Sequence, residues 1–300
     1  MIKRFLDYVE IRTKITSLFA FVMSLGLLLY KGHTISLVNT LVFFCSMFLI
    51  DLATTAVNNY IDTKDGSQAL PFERKTALFI IYALLSAGGM LGIYLAYRTD
   101  LIVLFVGGLC FLCGVFYTYG PVPISRQPLG EILSGVFYGL FIPFLMFYIN
   151  TPAGTFLEYH LSFEEIDLKL KIVPIFALLL FAVIPFCCTA NIMLANNICD
   201  VEKDIQVKRH TLPYYIGKRS IHLFAGLYYL CYIAIIIMCI VKILSPLCLL
   251  SLLTVYPVEK NIRTFKKKQV KSETFAVSIK NYITIMGSVT LLILISAFLS

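Results

Sequence analysis

Apolar residues occur along this chain in long runs that are separated by short polar segments. A helix needs about 20 apolar residues to cross the roughly 30 Å hydrocarbon core of a bilayer. Nine runs approach or reach that length, the eighth being the shortest. We therefore predict an all-α integral membrane protein, a single polytopic domain over residues 1–300 with nine transmembrane helices. The predicted spans are residues 13–30, 36–57, 76–97, 101–119, 129–149, 172–195, 220–243, 245–257 and 281–299.

Composition supports a membrane protein and excludes a soluble one. Hydrophobic residues make up 59% of the 300 residues and charged residues 14%, which is more apolar and less charged than an average soluble domain. A cleaved signal peptide is not predicted, because charges continue to Lys14 and no small-residue cleavage site follows the first apolar run. The cysteines lie almost entirely in apolar spans, so Cys110 and Cys113 are interpreted as packing residues. Neither a disulfide framework nor a zinc site is predicted.

The net charge of +8 follows the alternation of loops. Lys and Arg concentrate in every second loop, as is typical of cytoplasmic loops, and the longest opposite loop, about 150–171, is rich in acidic residues. A nucleic-acid partner would instead require one basic patch, and none is predicted. We predict a multi-pass protein of the cytoplasmic membrane, surrounded by membrane lipid, with its N-terminus in the cytoplasm.

Two of the predicted cytoplasmic loops begin with the same acidic pattern, Asn-Asn-x-x-Asp. The first motif, NNYIDTKDG at 58–66, continues the second span, and the second motif, NNICDVEKD at 196–204, continues the sixth. Residues three, four, seven or eight positions apart share one face of a helix. The residues that share a face are Asn58, Asp62 and Asp65 in the first motif, and Asn196, Asp200 and Asp204 in the second.

Carboxylates on one helix face repel one another unless a cation lies between them. Oxygen ligands with open positions suit Mg²⁺, which readily keeps substrate phosphate oxygens in its shell. The alternative is that polar helix ends simply face water, but two copies of one pattern on the same side of the membrane favour a shared site. The motifs therefore predict binding of Mg²⁺ and a diphosphate.

Basic residues accompany both motifs and would strengthen the binding of phosphate. Each of them could also serve only to orient its loop in the membrane. They are Lys64, Arg74 and Lys75 near the first motif, Lys208 and Arg209 after the second, and Arg12 and Arg126 on the same side.

The segments NNYIDTKDG and NNICDVEKDIQVKRHTL resemble the two aspartate-rich motifs of the UbiA superfamily of membrane prenyltransferases. Within it, YTYGP at 117–121, LGE at 129–131, and KRHTL at 208–212 with Gly217 resemble the 1,4-dihydroxy-2-naphthoate polyprenyltransferases of menaquinone synthesis. The resemblance extends from about Arg12 to the end of the chain. It implies a nine-helix bundle around a central cavity, with cytoplasmic cap loops that carry the motifs.

The resemblance also implies roles for individual residues. Asp62, Asp200 and Asp204 would bind Mg²⁺ and diphosphate and are the implied catalytic acids. Asp65 is a further candidate metal ligand, although the superfamily's commoner first motif has its additional Asp at the position of Gly66. The implied substrate-binding residues are Asn58, Lys64, Asn196, Lys208, Arg209 and Arg126.

The implied reaction transfers a polyprenyl chain from its diphosphate to an aromatic acceptor. Departure of diphosphate leaves an allylic cation, the naphthoate ring attacks it, and the ring carboxylate is lost as CO₂ to give a demethylmenaquinone. Tyr117 would shield the cation with its ring or act as a lipid anchor, and Arg126 would hold the acceptor's carboxylate.

Three alternatives stay open from the sequence. The acceptor could be 4-hydroxybenzoate, or the reaction could be the related synthesis of haem O. A polytopic secondary transporter is the third, and it would place its acidic residues near the centres of spans and break its helices there.

Overall fold

The computed structural model describes residues 1–63, 69–120 and 123–299, which are mostly helical. Seven helical segments in these ranges are long and apolar enough to cross a membrane, and they confirm a multi-pass helical architecture. These segments are Ile11–Tyr30, Leu37–Asp62, Arg74–Arg98, Gly130–Asn150, Ile172–Gln206, Arg219–Ile240 and Ala276–Leu299. The α-helices, in chain order, are α1 (Ile2–Tyr8), α2 (Ile15–Tyr30), α3 (Leu37–Asp62), α4 (Arg74–Arg98), α5 (Leu101–Phe116), α6 (Gly130–Ser134), α7 (Ile142–Asn150), α8 (Ile172–Gln206), α9 (Leu212–Ile216), α10 (Arg219–Ile240), α11 (Val255–Lys267) and α12 (Ala276–Leu299).

The other two predicted spans take shorter helical forms. The predicted fourth span is α5, whose 16 residues extend about 24 Å at about 1.5 Å per residue. The predicted eighth span is a 3-10 segment, Pro246–Thr254, that continues into α11. The nine-helix bundle, its central cavity and the single-domain organisation stay predictions.

One compact unit consists of residues 1–18 and 36–129. Its centre is the packing of α3 along α4, where Gly88 lets the two helices approach, since a Cβ there would lie 2.7 Å from Cδ1 of Ile50. The end of α3 that carries the first motif is thereby set in a packed core. Its buried members are Tyr8, Val9, Leu52, Ala53, Ala56, Val57, Ala77, Ile81 and Leu84.

The other compact unit consists of residues 19–35 and 130–300. The predicted fifth span is here α6, a π-helical turn over Gly135–Phe141, and α7. A Cβ on Gly139 would lie 2.2 Å from the backbone N of Phe186. Glycine is therefore required for the π-helical turn to lie directly on α8.

Helix α8 carries the second motif and is the longest element. Its 35 residues extend about 52 Å at about 1.5 Å per residue, well beyond a hydrocarbon core of roughly 30 Å. The apolar part of α8 packs against α10 and α12, so its polar last turns are an extension of a spanning helix.

A β-hairpin occupies the segment that the sequence analysis treated only as an acidic loop. Strands β1 (Leu157–Leu161) and β2 (Ile166–Leu170) pair antiparallel, with Tyr159 opposite Leu168. The alternation of apolar and polar residues in IDLKL at 166–170 is a strand signal. The charges of this segment indicate membrane orientation, and charge alone does not predict a hairpin.

Candidate functional site

The second motif lies in the last turns of α8. Asp200 and Asp204 are one turn apart, and burial increases along the motif, since the Asp200 side chain is 16% exposed and that of Asp204 is 9% exposed. Asn196, one turn before Asp200, is half-buried. The shared face that the sequence predicted is therefore present in a helix, while the metal-binding role of these residues stays a prediction.

The end of α8 is closed by a turn that sets the position of Arg209. The backbone N–H of Arg209 donates to the C=O of Asp204 at 2.8 Å, and that of Lys208 donates to Ile205 at 3.1 Å. These two bonds form a Schellman motif, in which the residue after the helix C-cap adopts the left-handed backbone conformation. Lys208 is that residue, with φ of 56°, in a conformation that usually favours glycine.

Asp200 and Asp204 each face a cation. Nε of Arg209 lies 4.0 Å from Oδ1 of Asp204, while Oδ2 of Asp204 is buried without a hydrogen-bond partner in the described ranges. The Nζ of Lys271 forms an ion pair with Oδ2 of Asp200. Lys271 lies 71 residues further along the chain. At that separation, no local sequence pattern predicts its contact with the motif.

A buried acid from α6 lies beside the second motif. Nδ2 of Asn197 donates to Oε1 of Glu131 at 2.8 Å, and the two residues are 1% and 3% exposed. Glu131 Oε2 and Asn197 Oδ1 have no partner among the residues described. Buried oxygens of this kind are available to an ion or an ordered water. In the sequence, Glu131 stands out only as a member of the LGE segment at 129–131, and no local pattern predicts its contact with Asn197.

The first motif lies at the end of α3. Asn58 Oδ1 accepts a hydrogen bond of 2.5 Å from Oγ1 of Thr118, so the YTYGP segment contacts the motif through its buried threonine. Asp62 is the last residue of α3 and is exposed. Lys64 and Asp65, together with Gly66, lie outside the described residues, and their predicted roles stay predictions.

The N-terminal helix α1 is bonded to this motif. The hydroxyl of Tyr8 donates to the C=O of Ala56 at 3.0 Å, and Nδ2 of Asn59 donates to the C=O of Tyr8 at 2.9 Å. Burial, helped by the charge of Tyr60, raises the pKa of the Tyr8 phenol to about 12. Tyr8 is thus a neutral hydrogen-bond donor, and Asn59 holds α1 in place.

Three basic or aromatic candidates have different surroundings. Arg74 stacks on the ring of Tyr60, with its Cζ 4.2 Å from the ring centroid, and is therefore occupied by a structural contact. Tyr117 is half-buried, and its C=O accepts from the N–H of Ser125 at 2.9 Å. Arg126 is exposed. The predicted roles of Tyr117 in shielding a cation and of Arg126 in binding an acceptor stay predictions.

The donor set of the second motif fits Mg²⁺. In the described ranges no three His, Cys, Asp or Glu side chains come close enough to form a complete metal cage. Mg²⁺ characteristically uses one or two protein carboxylates and completes its shell with water and substrate phosphates. Asp200 and Asp204, with the unpartnered Oδ2 of Asp204, supply that number.

The left-handed conformation of Lys208 permits a test of its role. Lys208→Gly is expected to stabilise the protein by about 1 kcal/mol, because a side chain in this conformation costs roughly that much. Thermal unfolding in detergent measures it. If the Lys208 side chain also contacts phosphate, KM for a prenyl diphosphate rises in the same variant.

The matched control is Lys203→Gly, within the helical part of α8. It is expected to destabilise the protein by about 1 kcal/mol, the usual cost of glycine in a helix. Equal losses of stability in both variants would contradict the strain at Lys208.

The fold and this site define a class, namely a multi-pass α-helical membrane protein with paired acids and cations at the end of a long helix. The UbiA prenyltransferase family matches the chain over residues 18–284. The chain therefore belongs to the UbiA prenyltransferase family, which confirms the resemblance seen in the motifs.

One relative carries the more specific name. The chain is 27% identical over 225 residues to the 1,4-dihydroxy-2-naphthoate octaprenyltransferase of Bacillus subtilis (strain 168), and the match covers 70% of this chain and 66% of that protein. Both this relative and the motifs therefore support a similarity to the naphthoate branch.

Two solved structures share the fold. A digeranylgeranylglyceryl phosphate synthase superposes with a TM-score of 0.66 at 17% identity, covering 100% of this chain and 99% of that one. A UbiA homolog from Archaeoglobus fulgidus bound to GPP and Mg²⁺ superposes with a TM-score of 0.61 at 14% identity, covering 99% and 98%. At these identities the likeness establishes the UbiA-like fold.

Proposed function

We propose that this protein transfers a polyprenyl chain from polyprenyl diphosphate to 1,4-dihydroxy-2-naphthoate. The bond between C1 of the prenyl chain and its diphosphate oxygen breaks, and C1 bonds to the naphthalene ring. The ring carboxylate leaves as CO₂, so that the product is a demethylmenaquinone in its hydroquinone form. The name of the B. subtilis relative supports this choice of acceptor.

The observation that carries the proposal is the arrangement at the end of α8. Two carboxylates, Asp200 and Asp204, have the number and chemistry that Mg²⁺ takes from a protein when a diphosphate completes its shell. Mg²⁺ supplies positive charge that stabilises the departing diphosphate. An archaeal UbiA homolog of the same fold has been solved with GPP and Mg²⁺, which supports the same pairing here.

The chain's own residues would hold and shield the reacting groups. Asp62, Asp200 and Asp204 are proposed as metal ligands, and Asn58 and Asn196 as oxygen ligands or phosphate contacts. Arg209 is held next to Asp204 and can turn its free donors toward phosphate oxygens, which strengthens charge-assisted bonds as negative charge develops. Tyr117 is proposed to shield the allylic cation.

We further propose that the site faces the cytoplasm, with the N-terminus on that side of the cell membrane and nine crossings in all. The concentration of Lys and Arg in alternate loops supports this orientation. Both motifs follow spanning helices that this orientation directs to the cytoplasmic side, where soluble substrates and Mg²⁺ are available.

The experiment is prenyl transfer in membranes that contain this protein. Radiolabelled polyprenyl diphosphate is supplied with 1,4-dihydroxy-2-naphthoate or with 4-hydroxybenzoate, with and without Mg²⁺, alongside Asp200→Ala. We expect Mg²⁺-dependent product from the naphthoate and none from the variant. Product from the benzoate alone would discard the naphthoate branch, and no product from either acceptor would favour another acceptor or transport.

A further inference from the structure

Lys271 reaches the second motif from a distant part of the chain. It lies in the segment between α11 and α12, residues 268–275, and its ammonium forms an ion pair with Oδ2 of Asp200. Half of the Lys271 side chain is exposed, whereas the Asp200 side chain is largely covered. A cation from this segment therefore lies on the face of α8 that is proposed to bind metal.

The 268–275 segment is built as a compact turn around Lys271. On its two sides, Lys268 pairs with Glu273 at 2.6 Å, and the N–H of Val270 donates to Oγ1 of Thr274 at 3.0 Å. Thr274 is 5% exposed, and its N–H donates back to the C=O of Val270 at 2.8 Å. These bonds shape the backbone of the turn, from which the Lys271 side chain extends to Asp200.

A divalent cation and the Lys271 ammonium compete for the same carboxylate oxygen. Two positive charges a few ångströms apart repel, even when solvent reduces the interaction. If a metal diphosphate bound here, the displaced Lys271 ammonium could pair with its phosphate oxygens in a charge-assisted contact.

We propose that Lys271 is a further diphosphate-binding residue, which pairs with Asp200 in the metal-free protein and transfers to the diphosphate when metal and prenyl diphosphate bind. This inference rests on the proposed function and names a ligand of the same site. It assigns Lys271 two opposite effects, since the side chain weakens binding of metal alone and strengthens binding of the prenyl diphosphate.

The opposite effects provide the test. In purified full-length protein in detergent, Mn²⁺ is titrated without substrate and the free ion is measured by electron paramagnetic resonance. Lys271→Ala is expected to bind Mn²⁺ about fivefold more tightly, the scale of one lost exposed ion pair. The same variant is expected to raise KM for prenyl diphosphate about tenfold, the usual scale of one charge-assisted hydrogen bond. Lys271→Arg is expected to restore the KM.

The control is Lys267→Ala, which removes the same charge from the exposed last turn of α11. It is expected to change neither quantity by more than about twofold, the effect of one exposed charge that is screened by solvent and salt. Mn²⁺ binding that is unchanged or weaker in Lys271→Ala, or absent from every variant, would overturn the inference. An unchanged KM would overturn it as well.

Amide hydrogen exchange gives a readout that needs no turnover. In the metal-free protein, residues 268–275 are expected to exchange faster in Lys271→Ala than in wild type, and Mn²⁺ alone is expected to produce the same acceleration in wild type. If the naphthoate is not prenylated but these shifts occur, the proposed acceptor is wrong, whereas the pairing of Lys271 with Asp200 and its displacement by metal stand. If the exchange rates of residues 268–275 change neither in Lys271→Ala nor on addition of Mn²⁺, the ion pair is contradicted.

Discussion

Asp204→Asn is expected to lower kcat/KM for prenyl transfer by about 100-fold or more, the usual scale when one electrostatic contributor to a transition state is removed. The substitution keeps the volume of the side chain and removes its charge. Oδ2 of Asp204 is buried without a hydrogen-bond partner in the described part of the chain, so it is available to the proposed metal ion. The measurement is initial velocity across Mg²⁺ concentrations in detergent or in membranes.

The control for this variant is Glu202→Gln, which removes an exposed acid from the same turns of α8. It is expected to leave kcat/KM within about twofold, because Glu202 is exposed and lies off the helix face shared by Asp200 and Asp204. Helix content and unfolding temperature should match wild type in both variants. Full activity in well-folded Asp204→Asn would remove this residue from the metal site.

Asp51→Asn is expected to destabilise the protein by about 3–5 kcal/mol, the cost of breaking a buried ion pair. Nζ of Lys14 lies 3.0 Å from Oδ1 of Asp51, and the side chains are 2% and 5% exposed. Lys14 also donates to Oγ1 of Thr55 at 2.5 Å, and Ser17 donates to Oδ2 of Asp51 at 2.7 Å. Removing the carboxylate charge leaves the Lys14 ammonium buried without a counter-charge.

The double variant Lys14→Met with Asp51→Leu separates loss of the pair from loss of one partner. It is expected to recover most of the lost stability, because apolar side chains of similar volume often replace a buried pair without cost. Unfolding in a denaturing detergent titration measures both variants, with the exposed Asp7→Asn as a control within about 0.5 kcal/mol of wild type. A single variant as stable as the double would contradict the argument.

The pair also lies on the face of α3 that leads to the first motif. Asp51, Thr55, Asn58 and Asp62 follow one another at intervals of four, three and four residues, so they form one polar stripe along the helix. From the sequence, Lys14 argues against a signal peptide and for a cytoplasmic N-terminus, and Asp51 lies within an apolar span. A charged residue inside a span is itself a signal that its partner lies nearby.

Several features followed from the sequence because they are local. Runs of about 20 apolar residues decide which segments can cross a bilayer, and seven of the predicted spans are present as long apolar helices. The helix period of 3.6 residues places Asp200 and Asp204 on one face whatever surrounds them. The family also followed, since its motifs are short and contiguous.

Other features depended on contacts between distant residues. The predicted eighth span is apolar, yet it begins as a 3-10 segment at Pro246. The β-hairpin at 157–170 lies in a segment that was predicted only as an acidic loop. Composition decides which solvent a segment prefers, whereas the choice among helix forms and strand pairing depends on packing partners that single-segment patterns do not contain.

The pairing of charges was decided by the tertiary structure alone. The sequence determined that acids and bases both gather at the motifs, but Lys271 rather than a nearer lysine pairs with Asp200. Likewise Asn197 is bonded to Glu131 across 66 residues. Local periodicity specifies the face on which a side chain lies, whereas its partner is specified by which elements pack against that face, a property of the whole folded chain.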